Sequence, residues 1–435
     1  MTSGGLMQLV AYGAQDIYLT GSPQITLFKI VYRRHTNYAR ESIEQVFNGS
    51  ADFGSRVTAT VSRNGDLINN VYLQATLPRV QVTSGSFRWI DDIGHHMIEE
   101  SKVEIGGQEI DTQSGDWLQL NQELSLAPGK LEGYRKMIGN RPLSVDGMPN
   151  ESSLQYLNTE TKPETVVYVP LQYWFCKFVG LSLPLIALQY HEVKITLRFR
   201  RSSELWISGS KETTPTLATD LSLGATSLWV DYIYLDTDER RRFAQVSHEY
   251  LIEQVQMPRD HSVSSTTAST DANLQLQYNH PIKELVWVVQ HDEIAEANQW
   301  SNYTTVKAEA EDVCRAPIDG ANPVVHAKLQ LNGANRFNTR EGNYFNLVQP
   351  YQHHTNIPQS PGVNVYSFAE RPEEHQPSGS ANFSRIDDAT LVLRVAYDPA
   401  EGSDLEKVQA KVRVYAINYN VLRIMSGMAG LAYSN

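Results

Sequence analysis

Strict alternation of apolar and polar residues is the feature that most narrows what this chain can become. Val57, Ala59 and Val61 share one side of an extended segment, as do Val71, Leu73, Ala75 and Leu77. Val193, Ile195, Leu197 and Phe199 repeat the pattern, and so do Val408, Ala410, Val412 and Val414. A period of two puts such residues on one face of a half-buried β-strand. Leu285-Val286-Trp287-Val288-Val289 is apolar at every position, as expected of a strand covered on both faces. Convincing helices are few, the best at residues 117–126 and 238–244. The chain is therefore expected to be all-β, a sandwich or barrel with helical insertions.

Two copies of one β-domain are visible at long period. Lys102-Val103-Glu104-Ile105-Gly106-Gly107-Gln108-Glu109-Ile110 reads as a hairpin closed by Gly-Gly, and residues 327–337 read as one closed by Asn332-Gly333. Both pairs suit a type I′ turn, which needs positive φ at two positions. The strand through Val71 to Leu77 matches Leu285 to Val289, and Thr196-Leu197-Arg198-Phe199 matches Val392-Leu393-Arg394-Val395. The offset falls from 226 residues (Gly107 to Gly333) to 196 (Leu197 to Leu393), so the first copy holds an insertion, placed at 112–165. The expected division is an N-terminal arm at 1–24, a first sandwich at 25–215 and a second at 216–435, joined through the turn-rich stretch 202–227. In the arm, Leu6, Leu9, Val10, Gly13 and Ile17 fall at helical spacing, and no charged side chain precedes Asp16. That pattern suits a short helix docked on a neighbour rather than a strand of either sandwich.

Composition closes other doors. The 435 residues, 41% of them hydrophobic, can build packed cores, which excludes wholesale disorder. Lys+Arg 37 against Asp+Glu 49 gives a net charge of −12, a poor basis for direct nucleic-acid binding. Two cysteines, Cys176 and Cys314, are too few for a disulfide framework and are expected as free thiols in separate domains, in keeping with a reducing compartment. No apolar run approaches a membrane span of about 18 residues. The N-terminus has no basic stretch of the kind that opens a signal peptide.

Catalytic and metal motifs fail on inspection. His248-Glu249-Tyr250-Leu251-Ile252 begins like a zinc-protease helix but has Ile where the second histidine belongs. Asp236-Thr237-Asp238-Glu239 runs into Arg240-Arg241-Arg242 with no glycine at position six of a calcium loop. His191-Glu192 precedes a strand and suits a structural histidine, and Gly427-Met428-Ala429-Gly430 lacks nucleotide-loop spacing. Arg33-Arg34 and Arg240 to Arg242 read as interface charges. Carboxylate pairs for glycoside hydrolysis stay open, since sequence does not fix their separation. A duplicated β-domain raises two other classes, a metal-dependent bicupin enzyme and a carbohydrate-binding β-sandwich. Against the first, no His-x-His pair exists; the close pairs are His95-His96 and His353-His354, whose side chains would point oppositely on a strand. No catalytic, metal or cofactor residue is assigned.

Specific strings carry further. Leu9-Val10-Ala11-Tyr12-Gly13-Ala14-Gln15-Asp16, Val31-Tyr32-Arg33-Arg34 and Ser62-Arg63-Asn64-Gly65-Asp66-Leu67 open the series. Leu183-Pro184-Leu185-Ile186-Ala187-Leu188-Gln189-Tyr190-His191-Glu192-Val193 and Trp229-Val230-Asp231-Tyr232-Ile233 continue it. Asn382-Phe383-Ser384-Arg385-Ile386-Asp387 and Asn418-Tyr419-Asn420-Val421-Leu422-Arg423-Ile424-Met425-Ser426-Gly427-Met428 close it. Together they resemble the major capsid proteins of nucleocytoplasmic large DNA viruses, of the algal, chlorella-virus type. The likeness spans nearly the whole chain and lapses mainly at residues 126–165 and 290–322.

The resemblance implies a double jelly roll, two tandem eight-stranded antiparallel β-sandwiches, and a structural role. Three chains would form a homotrimer, a pseudo-hexagonal capsomer that tiles an icosahedral shell. It implies further partners in neighbouring capsomers, minor capsid and penton proteins and inner membrane-associated proteins. Location in the virion capsid after assembly in the host cytoplasm, and no cofactor, go with it. Such proteins are commonly glycosylated. The candidate sequons are Asn302-Tyr303-Thr304, which falls in a variable stretch and is preferred, then Asn150-Glu151-Ser152 and Asn48-Gly49-Ser50. Asn382-Phe383-Ser384 lies in a family string and suits a structural role.

Overall fold

The alternating segments are strands of two antiparallel sandwiches in a computed structural model that describes residues 4–24, 32–140, 157, 161–208, 215–218, 220–257, 259–265, 267, 269–307, 320–396 and 408–433. Two units separate, Met1–Asn37 and Tyr38–Asn435. In the first, helix α1 (Gly4–Val10) and one turn at Ile17–Thr20 fall on the stripe expected to be helical, and Leu6, Leu9, Val10 and Ile17 are all exposed.

The second unit holds both sandwiches. In the first roll the strands are β1 (Tyr38–Gln45), β2 (Arg56–Thr60), β3 (Leu67–Leu77), β4 (Ile98–Ile105), β5 (Gln108–Gln113), β6 (Thr165–Pro170), β7 (Val193–Phe199) and β8 (Thr226–Leu235). The second roll has β9 (His248–Gln256), β10 (Ser269–Gln275), β11 (Pro281–His291), β12 (Val324–Leu331), β13 (Ala334–Asn335), β14 (Asn364–Ser367), β15 (Ala389–Ala396) and β16 (Val408–Met425). Sheets β1-β8-β3-β6 and β2-β7-β4-β5 face each other in the first roll, and β9-β16-β11-β14 and β10-β15-β12-β13 in the second. Adding eight to each label turns one roll into the other, so the duplication read from sequence is a duplication of pairing order. The hairpins behave as expected: Gly106 and Gly107 have φ of 60° and 82°, Asn332 and Gly333 of 49° and 78°.

The division at residue 215/216 needs correction. β8 pairs along its length with β1 and β3, Val230 lying opposite both Ile43 and Val71, so it is a central strand of the first roll. The first roll therefore runs through Leu235, and helix α3 (Thr237–Gln245) links it to β9. The turn-rich stretch at 202–227 misled because it is a connection between paired strands of one sandwich.

Each roll closes on its own apolar core. Val57, Val71, Leu73, Val103, Ile195 and Leu197 fill the first, and Leu285, Trp287, Leu329, Leu393, Val412 and Val414 the second. Each such side chain contributes about 1.5–3 kcal/mol by leaving water. A third core lies between the rolls. Helix α2 (Gly115–Ser125), in the insertion of the first roll, lays Trp117, Leu120 and Leu124 on Val286, Val288, Tyr415 and Ile417, the outward face of the second. The helix starts where Ser114 accepts a hydrogen bond from Trp117 N–H at 3.2 Å. Only glycine fits at 115, because a Cβ there would lie 2.1 Å from the His95 carbonyl oxygen.

Candidate functional site

The residues that stand out chemically gather where the two rolls meet. At the edges, β9 runs beside β5. The Gln254 side-chain amide donates to the Ile110 carbonyl, and Val255 N–H donates to Asp111 Oδ1 at 3.0 Å. Burial pushes the Asp111 carboxyl up to about 7 although Val255 N–H and Gln113 stabilise its charge.

Asp116, in the first turn of α2, is a hub between rolls. Its Oδ1 lies 3.1 Å from both His96 and Arg200 of the first roll, and its Oδ2 2.9 Å from Arg413 on β16. Burial alone would raise this carboxyl; Arg200, His96 and Arg413 outweigh it and hold Asp116 well below the usual carboxylate range. His96 reaches on to Ser301 Oγ at 2.8 Å, and Arg200 stacks 4.1 Å from the centre of the Trp300 ring. A second hub is Glu253 on β9, 3.1 Å from Lys177 of the first roll and 2.7 Å from Lys283 on β11. Burial raises its carboxyl, but the two lysines bring it down to about 2. Nearby His354 lies 3.0 Å from both Glu284 and Glu373. Burial works against its charge, yet Glu284 and Glu373 lift it to about 9. Buried ion pairs of this kind recover their desolvation cost only with good geometry, so they select one arrangement of the rolls more than they add stability. A cavity of about 810 Å³ remains at this seam, and Lys177, Lys283 and His354 on its wall all face these carboxylates.

The C-terminal hairpin is a third clasp. After β16 the chain turns through Ser426 and Gly427 into Met428–Leu431. Tyr190 N–H donates to the Gly427 carbonyl at 3.0 Å, and Ala429 N–H to His191 Nδ1 at 3.2 Å. Leu422, Ile424 and Ala429 join the core of the first roll, with Ile252 of β9.

The motifs weighed in sequence find structural places. His248 bonds the Phe243 carbonyl, Asp236 caps α3, and Arg240 pairs with Asp66 at 2.9 Å. His95 bonds Tyr134 while His96 turns to Asp116; His353 bonds the Glu370 carbonyl while His354 sits between its two glutamates. Among the described residues no group of three His, Cys, Asp or Glu side chains is placed to hold a metal ion, and no helix is long and apolar enough to cross a membrane. Cys176 is a half-buried free thiol that donates to the Asn69 carbonyl at 3.3 Å, and burial pushes it up to about 12; Cys314 lies outside the described residues.

The sequon asparagines fall in different surroundings. Asn302 is 6% exposed, its amide donating to Gln299 Oε1 and the Val306 carbonyl, its Oδ1 accepting from Thr304 N–H and Oγ1. An asparagine spent in this way cannot carry a sugar without opening the loop. Asn48 is exposed, Asn150 lies outside the described residues, and Asn382 accepts from Ser384 N–H in a 3₁₀ turn. Sequence reasoning missed the two ion-pair hubs. Asp116 and Arg413 are 297 positions apart, and a lone aspartate in a helix carries no pattern that points to its partners.

Comparison with known proteins agrees with this architecture. Residues 26–236 match a family described as major capsid protein N-terminus, and residues 239–430 one described as large eukaryotic DNA virus major capsid protein. The boundary between them falls where α3 links the rolls. The chain is 48% identical to the major capsid protein of Phaeocystis pouchetii virus, all of both chains being covered. It is 41% identical to that of Paramecium bursaria Chlorella virus 1, again over all of both. Its structure superposes on a chain of the PBCV-1 virus capsid with a TM-score of 0.74 at 36% identity, covering 94% of this chain and 100% of that one. The Faustovirus major capsid protein shares the fold, with a TM-score of 0.72 at 14% identity over 97% and 96% of the two chains.

Proposed function

This chain belongs to the major capsid proteins of large eukaryotic DNA viruses and is a structural component of the virion shell, and from that premise we propose that three copies close into one pseudo-hexagonal capsomer. The observation that carries the reading is the doubled fold: two rolls of one pairing order in each chain supply six similar modules from three chains. Most homo-oligomers have closed point-group symmetry, and a head-to-tail contact closes into a ring when its rotation does. Micrographs of the purified protein, with its mass in solution, test this. A threefold particle of three chains is expected; a stable monomer at micromolar concentration overturns it.

Neighbouring capsomers, minor capsid and penton proteins and inner membrane-associated proteins are the further partners we propose, with assembly in the host cytoplasm. Support for a docking arm comes from α1 and the turn after it, whose Leu9, Val10, Tyr18 and Leu19 are about four-fifths exposed or more. Apolar side chains left bare in this number mark a contact surface. Deleting residues 2–20 should leave capsomers intact and disturb the regularity of shells. For glycosylation we propose Asn48, with Asn150 next.

A further inference from the structure

The internal repeat relates the surfaces that meet inside the chain to equivalent surfaces left open. Within one chain the edge strand β9 of the second roll packs beside β5 of the first, with Ile252 to Gln254 buried, while the equivalent edges, β1 of the first roll and β13 of the second, are largely exposed. Residue-level equivalence follows from register. Ile68 pairs with Leu183 and Tyr232, and Ile282 with Ala381 and Asn418. Glu41, opposite Tyr232, is thus the counterpart of Gln254, opposite Asn418. At the hairpins Gly106-Gly107 matches Asn332-Gly333; counted from the turn Arg336 matches Ile110, and by register, past the bulge that sets Asp111 opposite Val103, it matches Asp111, so Arg336 stands at the Ile110–Asp111 step. Ile110 and Asp111 are the residues of β5 to which Gln254 and Val255 of β9 bond inside the chain.

Resting on the three-copy reading above, we propose that β1 of one copy docks beside the β13 hairpin of the next, with Glu41 meeting Arg336. The bond between an amide and a carbonyl inside the chain is replaced by a carboxylate opposite a guanidinium between chains. Both side chains are exposed, Glu41 accepting from the Tyr234 hydroxyl at 3.3 Å and Arg336 lying 6.0 Å from the Tyr366 ring. The outward face beside β1 agrees. Tyr72 and Trp229 stack there, half-exposed, at the positions where Val286 and Tyr415 lie buried under α2. An edge strand left bare invites pairing with any other strand, and covering it in one defined contact is how assemblies avoid that. The contact is head to tail, and with one third of a turn between copies three of them close a ring of six rolls. Opposite charge at the seam also fixes direction, since Glu41 against Glu41 would repel.

Charge reversal tests the pairing in the full chain. Glu41→Lys and Arg336→Glu should each raise the concentration at which capsomers dissociate by at least about tenfold, and the double variant E41K/R336E should return it close to wild type. Reversals that assemble like wild type, or a double variant no better than the singles, overturn the proposed contact while leaving the three-copy reading standing. A wild-type chain that stays monomeric overturns that reading instead. A gentler arm guards against misfolding: purified E41C/R336C capsomers, treated with a bifunctional thiol crosslinker as long as the Glu–Arg pair it replaces, should run as covalently linked trimers, which neither single cysteine variant does. Absence of that species overturns the contact.

Discussion

Strands β3 and β11 occupy the same place in the two rolls but differ on their outward faces. Inward, Val71, Leu73 and Ala75 match Leu285, Trp287 and Val289, all buried. Outward, β3 offers Tyr72 and Gln74, half-exposed, where β11 offers Val286 and Val288, fully buried under Trp117 and Leu120 of α2. The edges differ in the same sense. Gln254 is 7% exposed and bonded to the first roll, whereas Glu41 at the matching position faces solvent. The first roll completes the second within the chain, and among the described residues nothing completes the first in the same way. The difference leaves the first roll with a bare flank where the second is covered, and that flank is the surface we propose for the contact between copies.

Breaking the covered junction should have the largest effect. Asp116→Ala leaves Arg200 and Arg413 buried without their shared counter-charge. The expected loss is about 3–5 kcal/mol, measured by denaturant unfolding at fixed protein concentration, with the rolls losing cooperativity. Leu120→Ala, at a site fully buried against the second roll, should cost about 3 kcal/mol through the cavity it opens, whereas Tyr72→Ala on the bare flank should cost the monomeric chain under about 1 kcal/mol.

pH sharpens the same comparison. His354 is raised from 6.5 to about 9, so its contribution is complete below pH 6.5 and is lost as pH rises through about 9. Glu253 is lowered from 4.5 to about 2, so its contribution is present above pH 4.5 and is lost as pH falls towards 2. Wild type should therefore lose on the order of 2 kcal/mol more than His354→Gln between neutral pH and pH 9.5, seen in paired melts across that range. The smallest effect separates the two edges. Gln254→Ala should cost about 1–2 kcal/mol by leaving the Ile110 carbonyl unpaired, while Glu41→Gln should change unfolding by less than about 0.5 kcal/mol.

Much of this was legible before any coordinates. Period-two alternation marked β3, β7 and β16, the Gly-Gly and Asn-Gly pairs marked both hairpins, and the doubly apolar run at 285–289 announced a strand with two covers. Helix α2 was readable because Trp117, Leu120 and Leu124 recur at its own period. These signals are local, each carried by residues within one element. The boundary between rolls was misplaced because a turn-rich connection looks alike within a sandwich and between two. The burial of Asn302 was not legible because a sequon specifies three residues, whereas burial depends on Gln299, Val306 and the fold around them.

The sequence by itself determined the strands, the turns, the doubling and the family, because backbone propensity, hydrophobic period and near-identical strings are properties of neighbours along the chain. The tertiary structure alone decided which polar residues matter. Asp116 meets Arg413, Glu253 meets Lys177 and Gln254 meets Ile110 across 76 to 297 positions, and no local pattern encodes contacts that exist only once two sheets have docked. It also decided which of two equivalent edges is covered, since β9 finds β5 beside it only once the rolls have docked, while β1 stays exposed.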